Sequence, residues 1–149
     1  MSTVMSDLKD SILTEIQSEL GSSYKELAYI ENIDKNSFLT SNDRFGVRAL
    51  TAIQQPGVTK YTTFSQSFEI VLTKGYIQSS IDDTEQVNKS YELRASMLDI
   101  YQRLVNNKAG APSLVMNIFN LVIQDPEYLD EDKVVIIRAT MDIFYRIIL

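Results

Sequence analysis

The chain has 149 residues, 14 basic against 20 acidic side chains, a net charge of −6, and neither cysteine nor histidine. Those two absences remove disulfides, thiolate nucleophiles, sulfur metal sites, the commonest general base and the middle member of a nucleophilic triad. The acid excess and the dispersed Lys and Arg argue against gripping a phosphate backbone, although an acidic surface suits a passage through which DNA slides without sticking.

The opening MSTVMSDLKD lacks the basic start and apolar stretch of a secretory leader, and no apolar run approaches the roughly 20 residues that span a bilayer, so a cytoplasmic chain with no membrane contact is expected. Length and composition together predict a single α+β domain over residues 1–149. Val4, Leu8, Ile12, Ile16 and Leu20, joined by Met5 and Leu13, recur at helical spacing, and Gly21 ends that helix. Leu27 to Ile33 reads as a first strand, followed by the polar loop DKNSFLTSND.

From Arg44 an alternation places Phe45, Val47, Ala49, Thr51 and Ile53 on one face until Gln54-Gln55-Pro56-Gly57 turns the chain. Tyr61 to Tyr76 is strand again, with Phe64, Phe68, Ile70 and Leu72 on one side and Ser65, Ser67, Glu69, Val71 and Thr73 on the other. The two form a hairpin whose long arms are expected to project beyond the sheet that holds its base. Ser80, Asp82, Asp83 and Glu85 supply the acidic start of a helix running to Lys108. Val87, Tyr91, Leu98, Tyr101 and Val105 form one apolar stripe on it, Leu93, Met97, Ile100 and Leu104 a second, and Gly110 its stop.

Leu114 to Ile123 is read as a strand, Asp125 to Asp132 as an acidic loop, and Lys133 to Leu149 as a long closing strand in which Val135, Ile137, Ala139, Met141, Ile143, Tyr145 and Ile147 take every second position. These last two strands are expected to pair. The order is α-β-β-β-α-β-β: a mixed or antiparallel sheet of about five strands with a long β-hairpin, flanked by two helices.

No catalytic, cofactor-binding or metal site is predicted. Asp125, Glu127, Asp130, Glu131 and Asp132 have neither the spacing nor the central glycine of a calcium loop. Ser6 and Lys9 spell an acyl-transfer pair without its companion motifs, and the five glycines build no phosphate cradle. What stands out is adhesive surface. The hairpin tip, with Gln54, Gln55, Pro56, Gly57 and Lys60, and the terminal Ile147, Ile148 and Leu149 are the candidate interface residues of a homo-oligomer. The closing strand is expected to keep a free edge or an apolar end after the core is complete, so that deleting residues 147–149 weakens assembly more than folding. The competing reading is a ligand-binding or enzyme domain with a pocket between the sheet and helix 85–108, where Tyr91, Tyr101 and Arg103 supply polar groups.

An amphipathic first helix, a sheet with a long hairpin, a helix crossing it and a closing pair of strands, in a small acidic chain without Cys or His, resembles the tail terminator family of tailed bacteriophages. The resemblance is one of element order over the whole chain. It implies a structural virion protein rather than an enzyme, assembled in the host cytoplasm and located in the tail or neck, forming a hexameric ring that caps the tail tube and joins it to the head. It further implies that Arg44 to Tyr76 contacts the tube or adjacent subunits, that the partners are the tail tube protein and neck or connector proteins, and that DNA passes an acidic lumen only as cargo. An adaptor elsewhere in a bacteriophage neck or baseplate is a third reading.

Overall fold

The structure is a computed structural model and describes residues 4–26, 43–55, 61–76, 84–129 and 134–148. Helix α1 (Val4–Leu20) and helix α2 (Thr84–Asn107) pack on a six-stranded sheet made of β1 (Lys25–Glu26), β2 (Arg44–Gln55), β3 (Tyr61–Gly75), β4 (Val115–Ile123), β5 (Glu127–Leu129) and β6 (Val134–Ile148). The sheet order is β1-β2-β3-β6-β4, with β5 also pairing with β6. β1 runs parallel to β2, and the other pairs are antiparallel, so the α+β class and the mixed sheet are as expected. The expected strand 27–33 lies outside the described residues.

The periodicities locate the core. Leu8, Ile12 and Ile16 of α1 and Leu93, Met97 and Leu104 of α2 are wholly buried, and they meet Phe45, Phe68, Ile70, Leu72, Ile137, Met141 and Ile143 on one face of the sheet. Gly21 ends α1 at φ 89°, a left-handed conformation that glycine adopts without the strain a Cβ brings, and its N–H donates to the Gln17 carbonyl at 2.9 Å. At the far end of α2, the Glu15 carboxylate accepts from Arg103 Nε at 2.6 Å and from Asn107 Nδ2 at 2.7 Å, which ties the two helices together.

The closing strand differs from its expected place. β6 pairs with β3 residue for residue, from Tyr61 with Ile148 to Gly75 with Val134, while β4 and β5 cover its other side. It is an interior strand with neighbours on both edges, and among the described residues the free edge expected of it is not found. The same ladder corrects the projecting hairpin, because β6 accompanies β3 as far as Tyr61 and the inner arm therefore never leaves the sheet. β5 is a third departure: three residues within the expected acidic loop 125–132 pair with Val134 to Ile136.

β2 holds the fourth. Ala49 pairs with Phe68, but Ala52 pairs with Gln66, so the strand carries one extra residue across this step. A one-residue slip turns every later side chain to the other face. Ile53 was expected beside Phe45, Val47 and Ala49; it lies opposite Ser65 instead and is 57% exposed.

Candidate assembly surface

The bulge is held by a side chain from the next strand. Gln66 is fully buried, and its Nε2 donates to the Leu50 carbonyl at 2.8 Å and to the Ser67 carbonyl at 3.1 Å. The Leu50 carbonyl belongs to the residues the register shift leaves without a cross-strand partner, so Gln66 satisfies an acceptor the ladder cannot reach. Its own Oε1 is buried and has no hydrogen-bond partner. The result is a distal β2 segment in which Leu50 is 38% and Ile53 57% exposed, beside the exposed Thr51, Ala52 and Gln54.

The sheet face opposite the helices carries a row of paired charges. Glu69 of β3, 6% exposed, accepts from Arg48 Nη2 of β2 at 2.9 Å and lies 3.5 Å from Arg138 Nη1 of β6. Arg138 Nε donates in turn to Glu127 of β5 at 2.7 Å. Nearer the hairpin end, Asp142 accepts from Ser67 Oγ at 2.6 Å and from Asn120 Nδ2 at 2.9 Å. Two arginines thus face Glu69 and Glu127, while Asp142 is held by neutral donors, which leaves the row one acid in excess.

The predicted interface residues fall into three groups. Gln54 is exposed and pairs with Phe64, and Gln55 pairs through its backbone with Thr63. Ile147 is half-buried against the core, pairing with Thr62, and the Ile148 backbone pairs with Tyr61. Pro56, Gly57, Lys60 and Leu149 lie outside the described residues.

The three groups of the competing pocket do not converge. Tyr91 is 64% exposed, the Tyr101 hydroxyl donates to the Ile118 carbonyl at 3.2 Å, and Arg103 points to Glu15 and Glu19 of α1. Hydrogen bonding to Glu15 is the first cause that raises the Arg103 pKa. Fully buried Leu93, Met97 and Leu104 fill the space between α2 and the sheet. A depression of 390 Å³ lies at the outer side of the helices, lined by Glu19, Asp99, Gln102, Arg103, Asn106 and Asn107, and another of 450 Å³ lies around the end of α1. Among the described residues, no group of three or more acids is placed to hold a metal ion, and no helix is long and apolar enough to cross a membrane.

Exposed Leu50 and Ile53 were not distinguished in the sequence, since alternation alone put Ile53 in the core. Searched against models of known protein families and against curated protein sequences, the chain matches none.

Proposed function

We propose that this chain is a structural subunit of a tailed bacteriophage, a tail terminator that assembles as a hexameric ring, caps the tail tube and joins it to the head. The observation that carries the reading is the bulged hairpin. A buried glutamine is committed to holding a strand irregularity whose effect is to turn Ile53 outward, beside exposed Leu50, at the outer end of the sheet. Bulges re-aim side chains, and apolar groups held outward by a dedicated contact suit a surface that another chain covers. The tail tube protein and neck proteins are the partners on this reading, DNA is cargo in the lumen, no cofactor takes part, and the protein resides in the virion.

Negative-stain electron microscopy of the purified chain tests it. Sixfold rings are expected, and Ile53→Lys is expected to abolish them while the isolated subunit keeps its melting temperature. Uniform small particles at every concentration would overturn the reading.

A further inference from the structure

The residues of outer β2 match β3 in two registers. Strict alternation puts Thr51 and Ile53 on the face of Phe45, Val47 and Ala49, whereas the bulge pairs Ala52 with Gln66, Ile53 with Ser65 and Gln54 with Phe64. A one-residue slip that removes the bulge pairs Thr51 with Gln66, Ala52 with Ser65 and Ile53 with Phe64. Directly opposed residues share a face, with Cβ atoms roughly 5 Å apart. The slip therefore brings the Thr51 hydroxyl within reach of Gln66 Oε1, the buried acceptor that the bulged register leaves without a partner. Gln66 Nε2 gives up the Leu50 carbonyl but keeps that of Ser67, which lies on its own strand. Ile53 in turn meets half-buried Phe64, whose ring stacks on Tyr145 at 5.6 Å, and an aromatic residue facing a β-branched one is a favourable cross-strand pair. Exposed Gln54 holds that place in the bulged register, so Ile53 enters open surface rather than filled core.

Of the two strands, β2 is the one able to move. β3 is fixed by β6, which pairs with it from Tyr61 to Gly75. β2 pairs with β1 at Arg44 and Phe45 alone, so beyond Phe45 its outer edge meets no strand among the described residues. The residue released from the bulge passes into the connection between the two arms, and lengthening a connection by one residue costs little.

We propose that the outer half of β2 exchanges between these two registers and that the exchange is a switch on Ile53. The bulged register presents Ile53 on the face away from the helices, and the regular register withdraws it against Phe64. Each satisfies a different end of the Gln66 amide, Nε2 through the Leu50 carbonyl in one and Oε1 through Thr51 in the other. Up to Ala49 the two registers are identical, so the core takes no part. The use of the switch in assembly rests on the reading of the hairpin end as a ring contact, whereas the exchange itself does not.

Disulfide trapping tests the exchange in a full-length chain that contains no other cysteine. Ser65→Cys is common to two traps. Combined with Ile53→Cys it captures the bulged register, and combined with Ala52→Cys the regular one, with Thr51, Ile53, Phe64 and Gln66 all left in place. Opposed residues of antiparallel strands lie within disulfide reach. Under oxidised glutathione the second bond is expected to form at about a thousandth of the rate of the first or faster, as the population of a minor conformer allows. Deleting Thr51 removes the extra residue, so that Ala52 faces Gln66 without a bulge, and is expected to slow the second bond by about tenfold or more. Simple fraying of the hairpin end would trap equally with and without Thr51. Thr51→Val, which removes only the hydroxyl and serves if the deletion fails to fold, is expected to slow the second bond about fivefold. A second bond slower than about a thousandth of the first, or one that neither change at Thr51 slows, would overturn the proposal. Sixfold rings or their absence in micrographs test the terminator reading alone, so the two proposals fail separately.

Discussion

Replacing Glu69 with leucine is the sharpest probe of how the sheet is held on the side away from the helices. Its carboxylate is 8% exposed and takes Arg48 at 2.9 Å and Arg138 at 3.5 Å. Removing it leaves two guanidinium groups, 32% and 19% exposed, of which only Arg138 keeps an acid, Glu127 at 2.7 Å. Breaking a buried ion pair from one side costs about 3–5 kcal/mol, and the partial exposure of Arg48 puts this case near 3 kcal/mol. In a protein of this length that is a fall of about 6–12 °C in melting temperature. Arg48→Met is the informative contrast. Arg48 Nε is buried with no hydrogen-bond partner, so its removal relieves an unsatisfied donor while Glu69 keeps Arg138, and the expected cost is only about 1 kcal/mol. The double variant Arg48→Met/Glu69→Leu should then be more stable than Glu69→Leu alone. Urea unfolding followed by circular dichroism measures all three. If Arg48→Met costs as much as Glu69→Leu, or the double variant is the least stable, the reasoning about which charge depends on which is wrong.

Gln66→Met removes the donor to the Leu50 carbonyl together with the unpartnered Oε1. The two effects offset to about 1 kcal/mol of destabilisation, whereas hydrogen exchange at residues 50–52 should rise well above that of the rest of β2; equal protection across the strand would refute the latch. Tyr24 is held up to about 12 by burial first, then by the Asp43 and Glu92 carboxylates. The unfolded chain ionises near 10, so between pH 10 and 12 the folded state holds a proton the unfolded state has lost. Stability from this group is intact below pH 10 and falls as pH rises toward 12, by an amount on the order of 2 kcal/mol. A Tyr24→Phe variant should show a shallower alkaline decline in urea unfolding, and an identical decline would remove Tyr24 as the cause. Deleting residues 147–149 unpairs Thr62 and Tyr61 from the end of β6 and strips half-buried Ile147 from the core, so the truncated subunit is expected to melt several degrees lower, by about 1–3 kcal/mol. An unchanged melting temperature would show that this end adds nothing to the stability of the subunit itself.

The parts of the fold legible in the sequence are those dictated by burial against a regular backbone. Leu8, Ile12 and Ile16 repeat because one side of α1 meets the sheet, and the odd residues from Val135 to Tyr145 repeat because one side of β6 meets the helices. Alternation does not distinguish an edge strand from a central one, which is why the closing strand was misplaced. Val134, Val135, Ile136 and Ile137 are consecutive apolar residues, all buried, and such a run marks a strand whose two faces are covered, but it does not tell which strands pair with its edges. The bulge at Ala49–Ala52 has no such mark. Its residues are ordinary strand residues, and the contact that holds it comes from Gln66, sixteen residues away from the Leu50 carbonyl it serves. The assembly surface was therefore legible in its approximate place, the hairpin end, but not in its residues, because a one-residue slip decides which side chains are outward.

That slip also fits the way burial changes along the sheet. At the start of β6 both faces are buried, with Val134 and Ile136 as closed to solvent as Val135 and Ile137, and Val71 and Thr73 of β3 are wholly buried beside them. Midway, the face away from the helices passes to the ion row of Arg48, Glu69 and Arg138. At the hairpin end it carries half-buried Phe144 and exposed Ile53. Hydrophobic anchoring thus gives way to paired charge and then to uncovered apolar surface within the length of a single strand. Without the extra residue in β2, Ile53 would turn toward the helix side, and Leu50, Ala52 and Gln54 would line the face away from the helices. The bulge brings Ile53 to that face beside exposed Leu50 while the core register upstream of Ala49 is undisturbed, which separates the part of the sheet that folds the subunit from the part available to a second chain.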